Sequence, residues 1–425
     1  MTAINSRPVG RRRVLKVVGA AGATAAAGVV GMPAIVTGQS GTIKIGVPTI
    51  QSGRVALVGQ TSVGGLRSVF DPFNEAGGIN GRKIELVVRD SKGAPQEAAK
   101  VTRDLINNDR CQIIIDAEAS SGAFAVHEVI REIGVLCLHT NSETSSLTAD
   151  PKLHVPTAFR TARQGIHDAI GGGDYAAKVA KAKNLKRWVT CSPDYAYGRS
   201  NTAEFMEYAK HFEPSIQVVE ESWPKLFQPD YTEVVTKVLN SKADAMYSAL
   251  WGGDLSAFID QGNLYGLFDK MQNFMVNLGD YGVITEVKQF PAGVYSGGRY
   301  NRTVPPTKEN EDWYQAYVKN YKHKPTNWSW ENATAATFLV EALKATNGDT
   351  DGKKLASAIK GMKIKSTWGT DGSITMRGDD NTIINYIIGY GLSQSKDPYV
   401  KDFQTSSWEP ILELEKQWKK KQGYA

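Results

Sequence analysis

Asn74-Glu-Ala-Gly-Gly-Ile-Asn-Gly-Arg-Lys-Ile-Glu-Leu-Val-Val-Arg-Asp90 carries a helix end, two turns and a strand in one continuous stretch. Gly77-Gly78 lets the chain leave a helix through the left-handed region, as a C-terminal cap requires. Asn80-Gly81 supplies a tight turn, residues 83–89 read as a strand, and Asp90 ends it. Pro95 then suits the first turn of another helix. The alternation continues in both directions. Further strands are expected at 42–47, 112–115, 135–138, 188–191, 217–220, 245–248 and 273–276. Helices are expected at 64–75, 95–107, 123–133, 202–211, 230–239 and 255–264. Runs such as Ile113-Ile114-Ile115 are apolar on both faces, as strands buried between helix layers must be. The fold class is therefore α/β, with parallel sheets and right-handed crossovers.

Four strand–helix units precede about residue 162, and four more precede Gly298. A chain of 425 residues exceeds one compact core, so two doubly wound lobes of similar size are expected. After Gly298 the pattern changes to helices at 310–321, 333–346 and 353–360. A strand pair at 373–376 and 383–388 and a C-terminal tail follow. All nine Trp and all seventeen Tyr lie after Asp174. The second lobe and the C-terminal third then supply most of the stacking surface around any ligand, unless these rings serve only their own core.

The formal charge of +6 is a property of the N-terminus. Residues 1–38 hold Arg7, Arg11, Arg12, Arg13 and Lys16 and no acid, so 50 basic residues less these 5 leave 45 against 44 acidic ones. A nearly neutral body gives no clustered positive face for nucleic acid. Arg11-Arg12-Arg13-Val14-Leu15-Lys16 precedes an uncharged, Ala- and Gly-rich stretch from Val17 to Val36. Positive, apolar, small is the order of a secretory signal, and the paired arginines look like a Tat signal, with Val14 where a Phe is usual. Residues 1–38 are expected to be this signal, cleaved between Thr37 and Gly41. As a membrane anchor the stretch would insert poorly, given its Gly, Ala and Pro33. An extracytoplasmic compartment permits disulfides. Cys111, Cys137 and Cys191 are an odd set, and each is expected to act as a small buried apolar residue.

The stretch from Asn74 to Asp90 resembles the segment after the first helix in Leu/Ile/Val-binding-protein-like periplasmic receptors, the type I periplasmic binding proteins. The resemblance starts at Ile43-Lys-Ile-Gly-Val and includes Ser52-Gly53, Pro95-Gln-Glu-Ala-Ala and Leu105-Ile106. It continues through Asp194-Tyr-Ala-Tyr-Gly198 and Ala292-Gly-Val-Tyr-Ser, covering nearly the whole mature chain. It implies two Rossmann-like lobes joined by a three-strand hinge, with crossovers near residues 160, 298 and 368. Lobe 1 would hold 42–161 plus 299–367, and lobe 2 would hold 162–298 plus 368–425. It also implies a monomeric periplasmic receptor that closes on a small-molecule ligand and delivers it to the permease of an ABC importer. No cofactor or metal is expected.

In open parallel sheets ligands bind beyond the carboxyl ends of the strands, and the candidate site residues follow predicted strands. After Ile115 comes Asp116-Ala-Glu-Ala-Ser120-Ser121-Gly122. Serine hydroxyls and free N–H groups at a helix start make a carboxylate cradle, and the family's carboxylate-binding serine maps to Ser120 or Ser121. After Leu138, the family's contacts to an amino-acid backbone map to Asn141, Ser142 and Thr144, with Glu143 among them and His139 just before. On the second lobe Tyr197 matches the family's ligand-contacting Tyr, with Tyr195 beside it. Trp251 matches an aromatic cleft position. Val58, before Gly59, stands where the family often has Tyr. The family's ammonium partner falls near Asp280, with a shift in alignment, and Glu143 is the other candidate; a ligand served by neither lacks an amine and is an aromatic or aliphatic acid or an amide. Trp328 and Trp330 are expected to pack in the core, with the cleft rim as the other placement.

An exported enzyme is the main rival. There is no G-x-S-x-G elbow, no phosphate-binding loop and no H-E-x-x-H. Ser357-Ala-Ile-Lys360 fits S-x-x-K without its companion motifs, and Asp349-Thr-Asp351-Gly352 lacks the rest of a calcium loop. A sensory receptor domain is the third class; no membrane helix or signalling module follows Lys419-Lys420-Lys421, so a receptor serving a transporter is expected.

Overall fold

The computed structural model describes residues 41–425, so the expected signal at 1–38 lies outside the described residues. The chain begins with β1 (Ile43–Thr49), α1 (Ala56–Glu75), β2 (Ile84–Asp90), α2 (Pro95–Asn107), β3 (Ile113–Asp116), α3 (Ser120–Ile133) and β4 (Leu136–His139). A short α4 (Ser146–Ala149) leads to β5 (Ala158–Arg160). These strands form one parallel sheet of order β2-β1-β3-β4-β5. Ile113, Ile114 and Ile115 are fully buried, each contributing about 1.5–3 kcal/mol of transfer free energy.

The chain then builds a second sheet. α5 (Gly165–Lys183), β6 (Arg187–Cys191), α6 (Ala196–Phe212), β7 (Gln217–Ser222), α7 (Thr232–Asn240), β8 (Ala245–Ser248) and α8 (Gly252–Leu264) come first. α9 (Leu267–Lys270), β9 (Gln272–Met275), α10 (Tyr281–Ile284) and β10 (Tyr295–Gly297) complete this run. Next come α11 (Lys308–Tyr321), α12 (Asn327–Ala345) and α13 (Gly352–Ile359), with α12 packed along α1. The chain ends with β11 (Lys363–Lys365), β12 (Ser373–Met376), β13 (Ile383–Ile384), β14 (Gly389–Ser393), β15 (Val400–Thr405) and α14 (Trp408–Gln422). The second sheet has the order β15-β14-β10-β9-β8-β6-β7, parallel except where β14 and β15 are added antiparallel.

The expected strand at 383–388 is split. Ile383–Ile384 belongs to a small antiparallel sheet with β11 and β12, while the second sheet is joined only from Gly389. Thr382 bridges Arg160 at the end of β5, so the chain, expected to rejoin the second lobe at 368, first skirts the edge of the first sheet. The expected C-terminal tail is two strands and a helix.

α5 escaped the sequence reading because Gly171-Gly172-Gly173 interrupts its pattern. The glycines serve close approach: a Cβ at Gly172 would stand 2.6 Å from the Tyr390 ring, and one at Gly173 2.8 Å from the Ala209 backbone nitrogen. α5 and α6 pack face to face on that stripe. Cys111, Cys137 and Cys191 are free and buried. No described helix is long and apolar enough to cross a membrane.

Candidate functional site

Where the carboxyl ends of the two sheets meet lies a cavity whose wall includes Ser120, Glu143, Tyr197, Trp251, Arg299 and Trp328, the position where open parallel sheets bind ligands. Five helices begin at its wall, four of them because each follows a strand that ends there, and α12 after the turn that leaves α11. α1 contributes Val58, α3 Ser120, α6 Tyr197, α8 Gly252 and α12 Asn327, all within the first turn. First-turn N–H groups have no intrahelical partner, and the helix dipoles make this wall favourable to negative charge.

Of the sequence-expected residues, Ser120, Asn141, Tyr195, Tyr197, Trp251 and Asp280 line the cavity. Ser121, Ser142 and Thr144 do not. Ser121 is the second residue of α3 and turns from the wall that Ser120 faces. Ser142 is buried behind Ser120 and donates from its Oγ to the Ser120 Oγ at 3.1 Å, which leaves the Ser120 O–H free to donate. Thr144 uses its carbonyl to accept from Arg160 Nη2 at 2.7 Å. His139 points away, toward Asp116. Trp330 packs with Trp368 and Tyr386. Trp328 lines the cavity, edge to face with Trp251 at 5.9 Å.

Asn141 sits at the wall but its amide is fully used. It donates to Ser62 Oγ and to the Ala117 carbonyl, both at 3.0 Å, and accepts from Asn332. Asp280 is also committed. Its Oδ1 accepts from the Gly282 N–H at 2.7 Å, capping α10, and its Oδ2 accepts from the Asn327 N–H at 2.5 Å, at the start of α12. Burial raises its carboxyl to about 6.

Sequence reading gave no role to Arg299, whose guanidinium organises the charge of the site. Its Nη1 lies 2.6 Å from Glu143 Oε1 and 3.4 Å from Asp168 Oδ2, and its Nη2 donates to the Tyr197 hydroxyl at 3.4 Å. Asn277 Nδ2 donates to the same hydroxyl at 3.1 Å, so the Tyr197 O–H is left to donate into the cavity. Glu143 Oε1 is held by Arg299 and Asn327, whereas Glu143 Oε2 is buried with no hydrogen-bond partner among the described residues. Burial raises the Glu143 carboxyl, and Arg299 opposes the rise. Burial also works against the Arg299 charge, yet Glu143 and then Asp168 hold the guanidinium firmly protonated.

Behind the cavity the same network ties together the three passages between the sheets. Arg163, just after β5, donates from Nε to Asp168 at 2.9 Å and from Nη1 to the Ile387 carbonyl at 3.1 Å, and its N–H donates to Glu331 at 2.8 Å. Arg299 stands just after β10, and the Gly298 N–H donates to the Gly389 carbonyl at 2.8 Å. At the opposite, outer edge, Arg54 after β1 donates to the Gln228 carbonyl at 2.6 Å and lies 3.7 Å from Asp254 on α8. The cleft is thus bridged on both sides of the cavity. Among the described residues no cluster of three His, Cys, Asp or Glu side chains is placed to hold a metal ion.

Residues 42–395 match a family model described as periplasmic binding protein. An amino acid binding protein of Pseudomonas aeruginosa is 24% identical over 338 residues, 77% of this chain and 84% of the relative. The Leu/Ile/Val-binding protein homolog 4 of Brucella melitensis is 25% identical over 367 residues, 80% of this chain and 81% of the relative. Among solved structures, a solute binding protein of an ABC transporter from Rhodopseudomonas palustris BisB5, in complex with 3,4-dihydroxybenzoic acid, superposes with a TM-score of 0.76 at 24% identity, covering 84% of this chain and 95% of that one. A leucine-, isoleucine-, valine-, threonine- and alanine-binding protein from Brucella ovis, in a closed conformation, gives 0.71 at 22% identity, covering 86% and 94%.

Proposed function

Because this chain belongs to the periplasmic binding protein family, in its Leu/Ile/Val-binding-protein-like, type I branch, we propose that it is the extracytoplasmic solute receptor of an ABC importer, taking a small carboxylate-bearing ligand. The ligand carboxylate lies at the first turn of α3, accepting from the Ser120 O–H and the free N–H groups there. A donor elsewhere on the ligand, ammonium or phenolic hydroxyl, meets Glu143. The observation that carries this reading is the Glu143 Oε2 atom, buried and unpartnered on the wall that also holds Ser120. A buried acceptor left bare costs about 1–3 kcal/mol, and a ligand donor removes that cost.

Two ligand classes fit these groups. α-Amino acids supply a carboxylate and an ammonium, in keeping with what the relatives' names say they bind. Hydroxylated aromatic acids supply a carboxylate and a hydroxyl, and the Trp251–Trp328 wall favours a ring; the structural relative from R. palustris holds such an acid. Capture needs no bond made or broken. Ligand bridging the lobes favours the closed population about the three passages, and the closed form is what docks the permease.

The test is a thermal-shift screen of the protein after unfolding and refolding to strip carried-over ligand. The panel holds aliphatic amino acids, short amides, aromatic acids and dicarboxylates. A true ligand at 100 times its Kd stabilises by about 2.7 kcal/mol and raises Tm with concentration. Shifts confined to amides, or absent throughout, would reject the carboxylate reading.

A further inference from the structure

Behind the first-lobe cleft loops, three polar side chains form a chain that the cavity does not use. Asp116 ends β3 and His139 ends β4, side by side in the sheet and both fully buried. His139 Nδ1 lies 2.5 Å from Asp116 Oδ2, and His139 Nε2 lies 2.9 Å from His127 Nδ1 on α3. His127 Nε2 lies 2.7 Å from the Leu153 carbonyl oxygen. Each of these contacts is a hydrogen bond only if one proton sits in it. A carbonyl can only accept, so His127 donates from Nε2. A neutral His127 then accepts at Nδ1, which requires His139 to donate from Nε2. A neutral His139 accepts at Nδ1, so the proton between it and Asp116 belongs to the carboxyl. Two neutral imidazoles and a carboxylate carry two protons for three bonds and would set lone pair against lone pair in one of them.

We infer that Asp116, His139 and His127 retain one dissociable proton, held in the Asp116–His139 bond, and that this proton fixes the two first-lobe cleft loops to each other. Asp116 leads directly into Ala117–Ser120 and His139 into Thr140–Glu143. Thr140 donates to the Asp116 carbonyl from both its N–H, at 2.8 Å, and its hydroxyl, at 3.0 Å. The pair therefore sets the position of Ser120 relative to Glu143 without touching the cavity, which makes Asp116 and His139 positioning residues.

The surrounding charges favour a neutral pair. On the β3–α3 loop the Glu118 carboxyl, itself raised to about 8 by burial and then by Asp116, disfavours a second negative charge, while the Glu118 N–H, donating to Asp116 Oδ1 at 3.2 Å, works the other way and is outweighed by burial; Arg160, on β5, opposes a positive His139. Cys137 on β4 faces His139 Nε2 at 3.9 Å, and Arg131 and Glu128 on α3 flank His127 with opposite signs. Burial raises the Asp116 carboxyl well above its usual range. Burial, and then Arg160, lowers His139 to about 3, and burial, and then His139, lowers His127 to about 3.

The sign follows from linkage. Unfolded, with a carboxyl near 3.8 and imidazoles near 6.5, the three groups carry about two extra protons between these values and none above about pH 7. Folded, the chain keeps one. Its contribution to stability therefore rises with pH below about 6.5 and falls above it, with the folded-to-unfolded ratio changing about tenfold per pH unit. In Asp116→Asn the amide N–H fills the same bond with a proton that does not dissociate, so the alkaline fall disappears.

The experiment is urea unfolding of the wild type and Asp116→Asn at pH 7, 8 and 9, with ¹⁵N spectra of the wild-type histidines at pH 7.5. The wild type is expected to lose about tenfold more of its folding equilibrium per pH unit than the variant, and His127 and His139 to resonate as Nε2–H tautomers. Equal slopes, or an Nδ1–H tautomer at His127, would overturn the inference. Should the variant not fold, the wild-type spectrum decides alone. Neither readout needs a ligand, so failure here is separate from failure of the ligand reading.

Discussion

Exchanging Glu143→Gln and Asp280→Asn separately decides which carboxyl receives the ligand. Glutamine at 143 keeps an oxygen for Arg299 and Asn327 but turns an amide NH₂ toward the cavity, where the unpartnered Oε2 now stands. A ligand donor then loses a charge-assisted hydrogen bond of about 1.5–3 kcal/mol, a fall in affinity of about 10- to 150-fold. The fold loses less than the ~3–5 kcal/mol of a broken buried pair, because Asp168 still stands 3.4 Å from Arg299. Asparagine at 280 has one carbonyl oxygen for two backbone donors, Gly282 and Asn327. One N–H is left facing an NH₂ group, at about 1–3 kcal/mol of stability, with affinity changed by less than about twofold because neither Asp280 oxygen is free for ligand. Isothermal titration with the acid giving the largest thermal shift measures the affinity, and urea unfolding measures the stability. If Asp280→Asn abolishes binding while Glu143→Gln binds as the wild type does, the assignment from oxygen occupancy is wrong and the family-derived partner stands.

Three further outcomes are expected. Trp251→Ala removes the edge-to-face contacts with Trp328 and Phe227 and should lower affinity by about 1–3 kcal/mol; unchanged affinity with lowered urea stability would return this ring to the core. Arg54→Ala removes the outer bridge to Gln228 and Asp254. As a half-exposed pair is worth at most about 1 kcal/mol, affinity should fall no more than about fivefold, with small-angle scattering showing a wider ligand-free cleft, and an unchanged scattering profile would remove Arg54 from closure. Glu415 is buried against His167 and Arg377, which overcome burial and hold its carboxyl well below the usual range. That contribution is present above the unfolded value of 4.5 and lost as pH falls below it. Glu415→Gln should therefore cost about 3–5 kcal/mol at pH 7 and flatten the acid limb of the urea-stability profile.

The scaffold was legible because its patterns are strong: the apolar run Ile113-Ile114-Ile115 is a buried central strand, 245–248 and 373–376 are strands end for end, and 95–107 is the helix it was expected to be. What the pattern misses is systematic. Helices expected to start at 64, 123, 202, 255 and 333 start at Ala56, Ser120, Ala196, Gly252 and Asn327. The missed first turns are those that line the cavity. Their residues face the ligand space rather than a sheet, so the apolar period that marks a helix begins only after them. The site was legible in part for the same reason: single residues after strand ends, such as Ser120, Tyr197 and Trp251, follow from topology. Glu143 was in view in the loop after β4, but its pairing with Arg299, and Asp168 with them, was not, since nothing local marks pairs so distant in the chain. A lone arginine after Gly297-Gly298 at the end of an apolar strand was the one available signal.

The charges of the site are sorted by origin, and the sorting bears on the ligand. Its positive wall is mostly backbone: five helices present their first turns there, and such partial charges do not titrate. Its negative groups are side chains, with Glu143, Asp168 and Glu331 lying against Arg163 and Arg299. Burial raises Glu143, and burial together with the Glu143 charge raises Glu331 well above its usual range. A purely anionic ligand would satisfy the backbone wall and leave Glu143 Oε2 without a donor. A ligand with a cationic or strongly donating group beside its carboxylate satisfies both, and it does so at Glu143 Oε2, the carboxyl oxygen of this network left bare on the cavity wall. Simple benzoates should therefore bind more weakly than their hydroxylated counterparts, by about the 1.5–3 kcal/mol of one hydrogen bond to a charged acceptor.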